Sequence, residues 1–276
     1  MIFWGTLLAL AWDQVAPLFR PSQPERLFGR YADWVHDHFN AGTHAHGLLA
    51  WAAAALLPAL AAGLISIWLF DLAWLLGLAW SAAVLYRCLG FRQVVDLARS
   101  VTEALTAGDP VRAREKLNAL GVVCGPDQAP RELARPAMDR LFQLGLERLF
   151  GVLFWFALLG AFGAVAYLLT RSLAERWRGE VDFYAAITGI MPLLDWLPAR
   201  VMAISFAIVG NFEEAMMGWR SHAADPNGVV RAAGLGALGL DRAAPGPEYV
   251  SAVASLLNRS VLLWLGVLGL LWLGGV

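Results

Sequence analysis

Charge is what this sequence has least of. Asp, Glu, Lys and Arg make up 16% of its 276 residues, against 59% hydrophobic residues, a balance too apolar for an ordinary soluble domain. The net charge is only −1, and the arginines are not gathered on one face that could follow phosphates, which excludes nucleic-acid binding as a function class. Cysteine is almost absent as well. Cys88 and Cys124 have no CxxC or zinc spacing, so they read as reduced structural thiols rather than as a metal site or a disulfide framework. No Walker A, kinase or HExxH pattern occurs. The apolar run from Met1 to Trp12 lacks the basic n-region of a secretory signal. Despite its small residues Ala9-Leu10-Ala11, it reads as an uncleaved, short first helix.

What the chain does have is long apolar runs. A spanning helix needs about 20 apolar residues. Gly47 to Phe70, Leu149 to Thr170, Phe183 to Phe212 and Ser260 to Val276 each come close to or exceed that, and Leu72 to Tyr86 follows the first across Asp71 as a tight helical hairpin. The expectation is an all-α, polytopic integral membrane protein with five secure transmembrane helices, and Met1 to Trp12 as a marginal sixth. The whole of 1–276 reads as one membrane domain carrying a helical insert at 87–148. Segments 13–46, 87–148 and 213–259 hold three, ten and four Lys and Arg, whereas 171–182 holds three and the turn at Asp71 none. With helices alternating in direction, the positive-inside rule puts the large loops in the cytoplasm and 171–182 outside, in a bacterial inner membrane with the bilayer as its solvent.

Within the insert, Phe91, Val94, Val95, Ala98 and Val101 form a helical stripe. Gly108-Asp109-Pro110 closes that helix and opens the next, Asp109 as cap and Pro110 in the first turn. In the polar stretch 13–46, Pro17, Pro21 and Pro24 form a loop, Glu25 to Phe39 an amphipathic helix and Asn40-Ala41-Gly42 its stop. Trp34 and Phe39 suit the membrane interface. His36 and His38 lie two apart and point about 200° from one another on a helix, so they cannot chelate one ion. With His44 and His46 they read as a headgroup-facing cluster, and no metal site is expected.

The stretch that draws most attention is Asp195-Trp196-Leu197-Pro198-Ala199-Arg200. It sets an acid, a proline and a base inside Phe183 to Phe212, which carries no other charge. Charges at membrane depth are costly and usually functional, and Pro198 cannot donate to the carbonyl of Leu194. At about 45 Å as straight helix the run exceeds the hydrocarbon layer, so it must tilt, kink or break, with Pro192 and Pro198 as the places. Asp195 and Arg200 stand about 140° apart on a regular helix. Local unwinding would let them pair or turn each to its own neighbour, and a structural and a ligand-binding role both stay open. The small residues from Ala232 to Gly239 suit close helix packing first, and close approach to a ligand second.

Several stretches together resemble the CobD/CbiB family of cobalamin-biosynthesis membrane proteins, in a divergent proteobacterial branch, and the related AmpE family. They are Pro198-Ala199-Arg200, Gly108-Asp109 followed by Ala113-Arg114, Leu153-Phe154-Trp155-Phe156 with Gly163 and Tyr167, and Pro226-Asn227-Gly228 before Ala233-Gly234 and Ala237-Leu238-Gly239. The resemblance implies adenosylcobinamide-phosphate synthesis, an ATP-dependent amide ligation that uses Mg²⁺ and a corrinoid substrate. Its implied ligand-binding candidates are Asp195, Arg200, Asn211, Glu213, Glu214 and Asn227, with Arg112 and Arg114 for phosphates; no catalytic residue is assigned. The chain also departs from the family's pattern. Phe150 precedes Gly151 where the enzymes have Asp-Gly, Gly189-Ile190-Met191-Pro192 lacks their paired aspartates, and Asp195 with Trp196, Pro198 and Arg200 fits the AmpE pattern better. Two readings therefore stand open. One is a synthase-like protein with retained, altered or lost activity, the other an AmpE-like non-enzymatic modulator of envelope or beta-lactamase-induction signalling.

Overall fold

The structure is a computed structural model that describes residues 2–15, 23–39, 44–119, 121, 122, 125, 130–179, 181–222, 225–240, 246 and 248–274. The expected proline loop at Pro17 and Pro21, the stop at Asn40 to Gly42, and Cys124 lie outside the described residues. In chain order the helices are α1 (Ile2–Val15), α2 (Gln23–Phe39), α3 (His44–Trp51), α4 (Leu57–Leu72), α5 (Trp74–Cys88), α6 (Phe91–Thr106) and α7 (Pro110–Ala119). They continue as α8 (Pro130–Gly145), α9 (Gly151–Arg176), α10 (Val181–Val209), α11 (Phe212–Ser221), α12 (Pro226–Ala237) and α13 (Glu248–Leu273). Wide π turns at Ala52–Leu56 and Leu146–Phe150 join α3 to α4 and α8 to α9. No strand occurs among the described residues. Five helical stretches are long and apolar enough to cross a membrane, namely His46–Leu72, Trp74–Thr106, Glu132–Arg176, Tyr184–Val209 and Glu248–Leu273, with Ile2–Asp13 shorter. The all-α membrane architecture expected from the apolar runs is the one observed.

The chain folds as two compact units, the first made of Met1–Gly90 and Gly151–Asp195, the second of Phe91–Phe150 and Trp196–Val276. In the first, α4 and α5 form the expected hairpin. Its turn is Ala73 in extended conformation, whose N–H donates to Leu69 O. Facing polar groups settle its register. Ser66 and Ser81 hydroxyls lie 3.2 Å apart, and the Trp80 indole donates to Ala62 O at 3.1 Å. Pro58 has no N–H for the preceding turn. The helix widens there, and the Tyr31 hydroxyl of α2 donates to Ala53 O at 2.9 Å.

A break absent from the sequence-based expectation lies in α9. Gly160 has φ 62° and ψ −146°, and the chain folds back there. A Cβ placed on Gly151 would lie 2.3 Å from Tyr167 Cζ, and one on Gly163 2.2 Å from the Trp155 carbonyl oxygen. On a straight helix Gly151 and Tyr167 would be about 24 Å apart. The run Leu149 to Thr170, expected as one simple crossing, is thus the greater part of a helical hairpin with its tip at Gly160. Two glycines let the limbs touch backbone to side chain. The returning limb packs on α4, where the Trp51 indole donates to the Thr170 hydroxyl at 3.0 Å. It ends beside α2, with Arg176 Nε donating to Asp33 Oδ1 at 2.8 Å and Nη2 to Oδ2. Arg176 therefore comes to the same end of this unit as Asp33, because α9 turns round instead of continuing straight. A small-residue core, Ala32, Val35, Ala50, Ala54 and Ala55 with Leu173, Trp177 and Ile187, closes this end of the unit.

In the second unit, Asp109 caps α7 as expected, accepting from Arg112 N at 3.0 Å. Phe142, Phe150, Phe206 and Trp264 stack edge to face or tilted, with centroids 5.4–6.4 Å apart. The Trp264 indole donates to Ser205 Oγ at 2.8 Å, so its one polar atom is satisfied. Arg259 of α13 donates to Val209 O at 3.1 Å, at the last residue of α10. Helices α11 and α12 form a close antiparallel pair. A Cβ on Gly218 would lie 2.5 Å from Ala232 O, and one on Gly236 2.4 Å from Glu214 O. The glycine-rich run thus serves helix packing, the first of its two readings.

Candidate functional site

Asp195 sits 5% exposed on α10. A carboxylate so buried must be paired and hydrogen-bonded to stay ionised. Its partner is Arg171, not Arg200. Arg171 Nη2 donates to Asp195 Oδ2, Arg171 Nε donates to the Tyr167 oxygen at 3.0 Å, and the Tyr167 hydroxyl donates to Asp195 Oδ1 at 2.7 Å. The three groups close a ring of hydrogen bonds in which each carboxylate oxygen has a donor. Tyr167 and Arg171 are four apart, so one face of the returning α9 limb presents both. The guanidinium also lies 5.2 Å from the Tyr167 ring centroid. Gly151, having no side chain, leaves the room the Tyr167 phenol occupies.

The carbonyl that Pro198 leaves without its helical donor is satisfied in the same place. Trp155 Nε1, from the entering limb of the hairpin, donates to Leu194 O at 3.1 Å. That external donor compensates for Pro198, and α10 is helical from Val181 to Val209 through both prolines. The unwinding that would have let Asp195 meet Arg200 does not occur. Arg200 folds back on its own helix, Nη1 donating to Trp196 O at 2.8 Å and the guanidinium carbon 3.8 Å above the Trp196 ring. A cation over an indole face is held there electrostatically.

The other candidates lie in the second unit. Asn211 caps α11, its side-chain oxygen accepting from Glu214 N at 3.3 Å, and its own N–H donates to Ala237 O at 3.0 Å. Glu213 is exposed and Glu214 half-buried in the first turn of α11. The Glu214 carboxylate comes within 3.7 Å of where a Gly239 Cβ would be. These three residues share the end of the pair where α11 begins and α12 finishes. Asn227 is at the other end, in the first turn of α12, where Asp225 accepts from Asn227 N at 3.2 Å and Gly228 N at 2.8 Å. One helix length of about 15 Å separates it from Glu213. Arg112 and Arg114 are on α7, Arg112 exposed and Arg114 half-buried. Of the histidines, His38 Nδ1 lies 2.8 Å from Trp34 O while His36 is near Asp37, so the two face different neighbours. Among the described residues no three of His, Cys, Asp and Glu come together as a metal cage.

Sequence reasoning missed Arg171, Trp155 and the role of Tyr167. The signals were there. An acid at membrane depth needs a cation, Tyr167 and Arg171 are at helical spacing, and Pro198 demands a foreign donor for Leu194.

A family model described as "CobD/Cbib protein" matches residues 6–247. The chain is 34% identical over 255 residues to "Cobalamin biosynthesis protein CobD" of Stutzerimonas stutzeri, covering 87% of this chain and 81% of that one. It is 31% identical over 214 residues to the protein of the same name from Chromobacterium violaceum, covering 66% of this chain and 67% of that one. "Protein AmpE" of Shigella flexneri is 26% identical over 107 residues, 36% of this chain and 37% of that one. No solved structure matches.

Proposed function

The chain belongs to the CobD/CbiB family, and on that premise we propose that it acts in cobalamin biosynthesis, at the step that joins an aminopropanol unit to adenosylcobyric acid through an amide. The observation that carries this reading is the extent of the family match, 6–247 of 276 residues, together with relatives named for cobalamin biosynthesis. We take 1–276 as one family-type membrane domain in a bacterial inner membrane, with the ten Lys and Arg of 87–148 on the cytoplasmic side.

The corrinoid and ATP are the expected small-molecule partners, and ATP would bring Mg²⁺, which needs only one or two protein carboxylates when phosphates supply the rest. Glu213 and Glu214, side by side behind the Asn211 cap, are the carboxylates we assign to it. Arg112 is the exposed base assigned to phosphate. Asn227 and Arg114 remain ligand candidates of second rank, the first for its distance along the helix pair and the second for its burial.

The deciding experiment is complementation of a bacterial strain that lacks its own CobD-type synthase, under conditions where growth depends on made cobalamin. Growth restored by this chain, and lost with Glu213→Gln/Glu214→Gln, supports the proposal. A well-expressed, membrane-inserted chain that never restores growth sinks it. The AmpE-like reading, which draws on the Asp195 to Arg200 pattern and the AmpE match over 36% of the chain, expects that negative result together with altered beta-lactamase induction on deletion.

A further inference from the structure

Three contacts converge on two consecutive residues of α10. Trp155 holds Leu194 O, while Tyr167 and Arg171 hold the two oxygens of Asp195. All three donors come from the α9 hairpin, whose limbs are brought together by Gly151 and Gly163 at the Gly160 turn. Asp195 is buried, Tyr167 is 1% exposed, and the ring of hydrogen bonds uses both carboxylate oxygens. A helix whose apolar side chains meet other apolar side chains can rotate or slide at little cost. One buried carboxylate with two fixed donors removes that freedom, because any slip leaves a charge unpaired at membrane depth.

We propose that Arg171, Tyr167 and Asp195 form a lock that fixes the rotation and depth of α10 against the α9 hairpin, and that they are positioning residues, with none of their charges acting on a ligand. This explains why the acid and the base of the stretch never meet. Asp195 serves the hairpin, and Arg200 turns to Trp196. The growth readout below rests on the function proposed above; the lock itself does not.

The test compares Arg171→Met, Asp195→Leu and the double variant, in full-length protein purified in detergent and in the complementation strain. Removing one partner leaves the other buried without it, whereas replacing both by apolar groups of similar size is close to neutral. Each single change is expected to lower Tm by roughly 6–20 °C, and the double to return within about 3 °C of the wild type. Growth should follow the same pattern, lost in the singles and regained in the double. Tyr167→Phe keeps the ring in its seat at Gly151 and removes one of the two donors to Asp195, so a smaller fall of about 2–6 °C is expected.

A double variant that is as stable as wild type yet inactive would overturn the proposal, since a charge of the pair then acts on the ligand itself. Asp195→Leu or Tyr167→Phe melting with the wild type would overturn it too. So would a double variant no more stable than the singles. If the wild-type chain fails to complement, the proposed function fails, and the melting series alone still decides the lock.

Discussion

Gly160 offers the sharpest test of the hairpin, because its substitution isolates backbone conformation from packing. Its φ of 62° with ψ of −146° lies in a region that essentially only glycine occupies. A Cβ there would meet nothing within 4 Å, so Gly160→Ala introduces no collision. The whole cost is that of forcing an L-residue into this conformation, about 1–3 kcal/mol. For a chain of this size that corresponds to a fall in Tm of roughly 2–12 °C. Gly266 of α13 is the matched control. It too has open space around its Cβ and does not have a positive φ, so Gly266→Ala should leave Tm unchanged or raise it by the helix-propensity gain of up to about 1 kcal/mol. The assay is helical circular dichroism during heating in one detergent, with all three proteins at equal concentration. If Gly160→Ala melts with Gly266→Ala, the chain does not turn at Gly160 and the reasoning fails.

The same turn has a topological consequence. In a background with Cys88 and Cys124 changed to Ser, Arg178→Cys and Asp37→Cys should react with an impermeant thiol reagent from one side of the membrane and Asp71→Cys from the other; labelling of position 178 with position 71 would refute the fold-back. Asp225→Ala removes the acceptor for two backbone N–H groups of α12 and should cost about 0.5–2 kcal/mol by the same melting assay, with Asp225→Asn nearly harmless. The Arg176 guanidinium hydrogen-bonded to Asp33 holds that carboxyl below its ordinary pKa. A carboxylate with a depressed folded-state pKa contributes stability fully above its unfolded value of about 3.9, and loses it as pH falls through the folded value. Asp33→Asn should therefore lower Tm at pH 7 and make no difference once wild-type Asp33 is protonated, a gap that salt narrows, since so exposed a pair is worth at most about 1 kcal/mol. An equal gap at both pH values would show that the pair does not act through charge.

Much of the fold was legible because membrane insertion is governed by composition over windows of about 20 residues. The apolar runs marked the spans, Asp71 the hairpin turn and Asp109 a helix start, each a local rule with local causes. Gly160 was not legible. A glycine in an apolar run is compatible with a helix, and only the contacts of Gly151 with Tyr167 and of Gly163 with the Trp155 carbonyl reveal the turn. Prolines misled in the opposite sense. Pro192 and Pro198 are the stronger breakers by local rule, yet α10 continues through both, with Trp155 on the carbonyl that Pro198 leaves bare.

By itself the sequence determined that this is an all-helical membrane chain of the CobD/CbiB kind, with an acid and a base inside an apolar run where charge is costly, because those facts rest on composition, spacing and motif. Only the tertiary structure decided where those charges go. Asp195 and Arg200 are five residues apart, but partners for buried charges are chosen in space, and a hairpin closed by two glycines delivers Arg171 and Tyr167 to Asp195 from at least 24 residues away. Counting arginines presumes that every apolar run crosses, and whether a run crosses or returns depends on backbone dihedrals at one residue, which hydropathy does not record.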